Sequence, residues 1–139
     1  MVRYAWALRG QPKDSTNRID LKLEEIDLAG GQLTERYLCD INANGEVPVL
    51  GLPAPAKPMP ESLDITYYFA QRYPDLLPSA HEHEIKHLLS KLHDINFYSL
   101  TFTGKPQVPK GAVEKMQGML KQEGISERYQ KALEWKIKR

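Results

Sequence analysis

Prolines at positions 48, 53, 55, 58 and 60 restrict the fold of this chain more than any other feature. Proline lacks a backbone N–H and holds φ near −65°, so a strand that contains it loses ladder bonds and belongs at a sheet edge. A strand over Val47–Leu52 is therefore short, and the chain beyond Leu52 is broken. Two ordered motifs frame the run, Asn44-Gly45-Glu46-Val47-Pro48-Val49-Leu50 and Pro60-Glu61-Ser62-Leu63-Asp64-Ile65, with Glu61 thirteen positions after Pro48. In the first, a Val-Pro bend enters the strand, and the Val47–Pro48 bond is expected to be cis, since cis peptides are essentially a proline feature of tight turns. In the second, Ser62 opens a helix whose free N–H groups and dipole attract a carboxylate.

These pieces suit a small γ-glutamyl peptide. Val47 would offer backbone N–H and C=O to an extended ligand as one strand does to another. Pro48 would hold that backbone, Ser62 would set the helix mouth, and Glu61 would take the ligand's ammonium group. The plainer alternative is that Pro48 shapes a turn and Ser62 caps a helix.

The chain has 139 residues, ample for one core. Its net charge of +1 gives no electrostatic case for nucleic acid or an anionic membrane. No apolar run approaches the roughly 20 residues that span a bilayer, and no signal peptide is visible. One cysteine cannot close an internal disulfide, so the expected compartment is the reducing cytoplasm.

Along the chain, Met1–Gly10 fits two readings: Val2, Tyr4, Trp6 and Leu8 alternate like a strand, while Ala5, Ala7, Leu8 and the terminal Gly10 suit a helix with a glycine stop. Gln11–Asn17 reads as a polar loop, and Thr34 as the cap of a short helix through Tyr37 and Leu38. Pro74 and Pro78 punctuate a linker, Tyr73–His81, taken as the domain boundary. Ile85, Leu88, Leu89, Leu92 and Ile95 follow the spacing of one buried helical face. Gly104–Gly111 reads as a loop, Val113–Gln122 as a helix, and Ser126–Ile137 as another with Ser126 as its cap.

A sharper pattern points elsewhere. His83-Glu84-Ile85-Lys86-His87 is an HExxH sequence, with His93 at the place of a third zinc ligand. That longer pattern needs a glycine where this chain has Ser90. At about 100° per residue, His93 lies roughly 120° from His87 on a continuous helix, so the three cannot share one ion. A solvated polar face is the better reading, and no metal is expected. Cys39 reads as a small packing residue, Tyr67, Tyr68, Phe69 and Tyr73 as core, and Lys105 and Lys110 as solvated charges. Tyr4 as a catalytic hydroxyl has nothing nearby to lower its pKa.

The two framing motifs resemble the N-terminal domain of the glutathione S-transferases, whose members carry Asn-x-x-Gly-x-Val-Pro-x-Leu and then Glu-Ser or Gln-Ser. Here the first half reads Asn42-Ala43-Asn44-Gly45-Glu46-Val47-Pro48-Val49-Leu50. His93-Asp94-Ile95-Asn96-Phe97-Tyr98-Ser99-Leu100-Thr101-Phe102 is similar to the first helix of the helical domain in fungal members. The resemblance covers nearly the whole chain. It implies an α/β plus all-α fold: a thioredoxin-like glutathione-binding domain over residues 1–73 and a partial helical domain over 82–139. It makes Val2-Arg3-Tyr4-Ala5 part of a first helix and Leu21–Leu28 a strand. The family's first strand, and the loop with its catalytic Ser, Tyr or Cys, then have no counterpart, so the chain is expected to be truncated at both ends, with its catalytic residue unknown.

The implied function is binding of glutathione as co-substrate through Val47, Pro48, Glu61 and Ser62. Conjugation to a small electrophile would come next, in detoxification or secondary-metabolite tailoring, in a chain that pairs as a homodimer. Arg36 or a residue of the Asn42–Asn44 loop would meet the glycine carboxylate. A non-catalytic glutathione-binding or scaffold protein is the rival, and a metal-dependent hydrolase a distant third.

Overall fold

The computed structural model describes residues 1–101, 103–105 and 107–138. Its regular elements are helices α1 (Val2–Leu8), α2 (Ser62–Ala70), α3 (Glu82–His93), α4 (Phe97–Thr101), α5 (Gln107–Leu120) and α6 (Glu127–Ile137). Short 3₁₀ turns and a π-helical turn, Tyr37–Ile41, join them. Among the described residues, extended chain pairs at one place, an antiparallel bridge between Leu50 and Met59. The expected α/β plus all-α fold is therefore corrected. Among the described residues no sheet forms, so no thioredoxin-like domain stands over residues 1–73.

The physical reasons are local. Leu21–Leu28 carries no strand, because a strand needs a partner for every second N–H and C=O. The Val47–Leu52 strand shrinks to the single bridge at Leu50, hemmed by Pro48 and Pro53 on its own arm and by Pro58 and Pro60 on the other.

The described residues form two units, each built from two stretches of chain. The first comprises Met1–Glu24 and Pro48–Ile95. Its core is Leu50, Ile65 and Phe69, with Val2, Trp6, Ile19 and Leu21 packed against it. Residues Ile65 and Phe69 of α2 are one helical turn apart and fully buried, each burial being worth roughly 1.5–3 kcal/mol. The ambiguous start is settled as helix α1. Ala5 is buried, Trp6 meets Phe69 at 5.1 Å and Tyr73 at 5.8 Å, and Gly10, at φ +68°, turns the chain after the helix. Tyr73 is buried and its hydroxyl accepts the Ile19 N–H at 3.0 Å. The proposed linker Tyr73–His81 lies inside this unit as two 3₁₀ turns.

Helix α3 departs from its expected role. No residue of it is buried, and Leu88, Leu92 and Ile95 are about half exposed. The periodicity is present, but among the described residues of the unit nothing packs over that face closely enough to bury it.

The second unit comprises Glu25–Val47 and Asn96–Arg139, of which Arg139, like Phe102 of the family-like helix, lies outside the described residues. Leu33, Leu38, Met116 and Leu133 form its core. Ser126 caps α6 as expected, accepting the Tyr129 N–H at 3.2 Å. Arg128 then donates to Glu35 and Asp40, each at 2.8 Å, tying α6 to the π-helical segment. The Gly104–Gly111 loop is corrected in part: helix α5 begins at Gln107, while Pro106 lies outside the described residues.

Candidate functional site

The Leu50–Met59 bridge places the two motif halves in register. Leu50 donates to the Met59 carbonyl at 2.8 Å and Met59 donates back at 2.9 Å, so the two form a narrow hydrogen-bonded pair. Counting outward along an antiparallel register, Val49 falls opposite Pro60 and Pro48 opposite Glu61. Both arms belong to the first unit.

Glu61 ends its arm and begins α2. It is the N-cap, in extended conformation at φ −85° and ψ 123°, and its carbonyl accepts the Ile65 N–H at 2.9 Å. Ser62 is the first helical residue, half-buried, and no side chain caps the helix. The first N–H groups of α2 therefore have no intrahelical acceptor, and the positive end of the dipole adds to them. Asp64, in the same turn, sets a carboxylate beside that end. Pro48 is exposed. Val47 is 41% exposed and is the last residue of the second unit's first stretch. The bond between them is not the cis one: Ala54–Pro55 is the cis peptide among the described residues. A proline constrains its neighbour in either isomer, and trans remains the preferred state.

One residue missed by sequence reasoning adjoins this site. His93, the last residue of α3, brings Nε2 to 3.9 Å from Glu61 Oε2, with both side chains about half exposed. His93 drew notice in the sequence only as a third zinc ligand, and no local signal links it to Glu61. His83, Glu84 and His87 are exposed on α3. Among the described residues no cluster of three histidine, cysteine or acidic side chains is placed to hold a metal ion.

The remaining candidates lie in the second unit. Burial pushes the Cys39 thiol above its ordinary value, and the carboxylates of Glu35 and Asp40 add to the shift against the opposing pull of Arg128. A raised thiol pKa means less thiolate, the wrong direction for a nucleophile. Burial likewise raises Tyr37, whose hydroxyl donates to the Glu46 carbonyl at 2.7 Å. Asn42 is buried, with Nδ2 donating to the same carbonyl at 3.0 Å and Oδ1 accepting the Asn44 N–H at 3.0 Å. These bonds fix the Asn42–Gly45 turn and occupy the Asn42 side chain. Gly45 is required there: at φ +59°, an added Cβ would also crowd Leu38 Cδ2 at 3.0 Å and the Gln32 carbonyl at 3.1 Å. In the first unit, Tyr4 is 71% exposed.

No family model, curated protein or solved structure matches the chain. No helix of the described residues is long and apolar enough to cross a membrane.

Proposed function

We propose that this chain binds glutathione, or a closely related γ-glutamyl thiol peptide, in the reducing cytoplasm. The observation that carries the reading is the register of the Leu50–Met59 bridge, which sets the Pro48 arm opposite Glu61 at the uncapped mouth of α2. Glutathione presents an α-ammonium and an α-carboxylate on one carbon at its γ-glutamyl end. The Glu61 carboxylate suits the first, and the free N–H groups after Ser62 suit the second. The peptide body would lie along the backbone arm that Pro48 stiffens and that leads back to Val47.

Calorimetric titration with reduced glutathione tests this. Wild type is expected to bind, and Glu61→Gln to weaken binding about tenfold or more, the loss expected of a charge-assisted hydrogen bond. Binding unaltered by Glu61→Gln, or no heat at millimolar glutathione, refutes it.

A second reading, glutathione transfer, is favoured by His93 beside Glu61. An imidazole there would take the thiol proton; the sulfur would then form its bond to an electrophilic carbon as the leaving group departs with its electron pair. Turnover of chlorodinitrobenzene that His93→Ala abolishes supports transfer, with S-methylglutathione binding but not reacting. Binding without turnover supports a non-catalytic glutathione-binding protein.

A further inference from the structure

A groove of about 510 Å³ opens in the first unit beside α1. That is the size of a small-molecule site. Trp6, Arg9, Arg18, Ile19, Leu21 and Tyr73 contribute to its walls, and neither glutathione motif enters it.

The apolar part of the wall is fixed from behind. Ile19 and Leu21 are half-buried against the Leu50, Ile65 and Phe69 cluster. The buried Tyr73 holds the Ile19 N–H through its hydroxyl at 3.0 Å. Trp6 is half-buried between Phe69 and Tyr73.

The polar part is cationic. The Arg9 guanidinium lies over the Trp6 ring at 3.9 Å, and its Nη1 donates to the Trp6 carbonyl at 2.7 Å. Stacking and bonding hold the fork in one orientation, so little rotamer freedom remains for a ligand to freeze. The Nε and Nη2 donors are left for an acceptor, and two such donors match the two oxygens of a carboxylate. Arg18 lines the same groove with an exposed guanidinium. Asp20 is the one carboxylate of the lining, so the groove keeps a single positive charge in excess and disfavours a dianion.

We propose that this groove binds a small organic monocarboxylate with a flat apolar body, its carboxylate held by Arg9 and Arg18 and its body against Trp6, Ile19 and Leu21. An inorganic anion would leave the apolar wall wet. A neutral hydrocarbon would strip water from two guanidiniums and return nothing.

Naphthoate is the probe, titrated into the full chain and followed by heteronuclear NMR and calorimetry. Saturable binding that moves the Trp6 indole resonance and leaves the Trp135 indole in place is expected. Arg18→Gln is expected to weaken binding about tenfold, Arg18→Lys to restore part of the loss, and Arg9→Gln to weaken it at least as much. Arg18 is exposed, so its replacement leaves the fold intact, which far-UV circular dichroism checks. Naphthamide, the neutral isostere, is expected to bind about tenfold more weakly or worse. The proposal is overturned if naphthamide binds as well as naphthoate, if equimolar phosphate displaces naphthoate, if the arginine variants bind like wild type, or if binding does not saturate.

Discussion

Phe69→Ala tests whether α2 is anchored as the structure has it. The Phe69 side chain is fully buried, with its ring 5.1 Å from Trp6 at a tilt of 53° and 6.2 Å from Tyr68 at 62°. Truncating a buried phenylalanine costs about 3–5 kcal/mol, from lost transfer energy and from the cavity left behind. The two aromatic pairs contribute about 0.5–1.5 kcal/mol each within that sum. A unit of roughly 70 residues carries about 4–10 kcal/mol of stability, so the substitution removes a large share of it.

Urea denaturation in a Trp135→Phe background leaves Trp6 as the sole indole reporter, and Trp6 touches the altered site. The expected result is a midpoint shift worth about 3–5 kcal/mol at unchanged slope. Phe69→Leu, which keeps most of the apolar volume, is expected to cost less than half as much. A loss below about 1 kcal/mol for Phe69→Ala, at constant slope, refutes the placement of Phe69 against Trp6 and with it the anchoring of the helix that begins at Glu61.

Two further predictions concern titration. Asp14 accepts from Thr16 Oγ1 at 2.6 Å and Asn17 Nδ2 at 2.7 Å, and these side-chain bonds hold its carboxyl at about 2 against an ordinary 3.8. The folded value lies below the unfolded one, so the stability linked to Asp14 is present above about pH 4 and is lost as pH falls through about 2. A carboxyl-carbon NMR titration with a midpoint near 3.8 refutes it. Glu35 is lowered first by the Ser126 hydroxyl and then by Arg128. Ser126→Ala is expected to move its midpoint up toward 4.5 and, by deleting the cap of α6, to cost about 1 kcal/mol in denaturation. As with Asp14, the Glu35 contribution is present above the unfolded value and lost as pH falls through the lowered one. An unmoved Glu35 midpoint after Ser126→Ala rules out the bond.

What the sequence made legible was encoded within a few residues. The starts of α2 at Ser62 and α6 after Ser126 follow from cap chemistry that acts over one helical turn. Pro109 looked like loop punctuation, yet it stands in the first turn of α5, where proline forfeits no i→i−4 bond. The ladder partners of Leu21–Leu28 and the cover over Leu88, Leu92 and Ile95 are not written in those segments, so periodicity alone overstated both. For the site, the Glu61–Ser62 helix mouth was readable, whereas the nearness of His93 to Glu61 depends on how α3 returns past α2.

The same prolines explain why pairing stops at one bridge. Leu50 and Met59 point their N–H and C=O groups at each other, so residues one step away on each arm point theirs outward. On the Met59 arm those neighbours are Pro58 and Pro60. Neither has an N–H, so the outer edge of that arm offers no donors and a further strand cannot pair there. Two steps out, the next hydrogen-bonded pair would be Pro48 with Glu61, and Pro48 has no N–H to give the Glu61 carbonyl. That carbonyl accepts from Ile65 instead, which begins α2. The same missing donor that ends the ladder therefore leaves the Glu61 carbonyl to the helix, and fixes where the helix mouth opens.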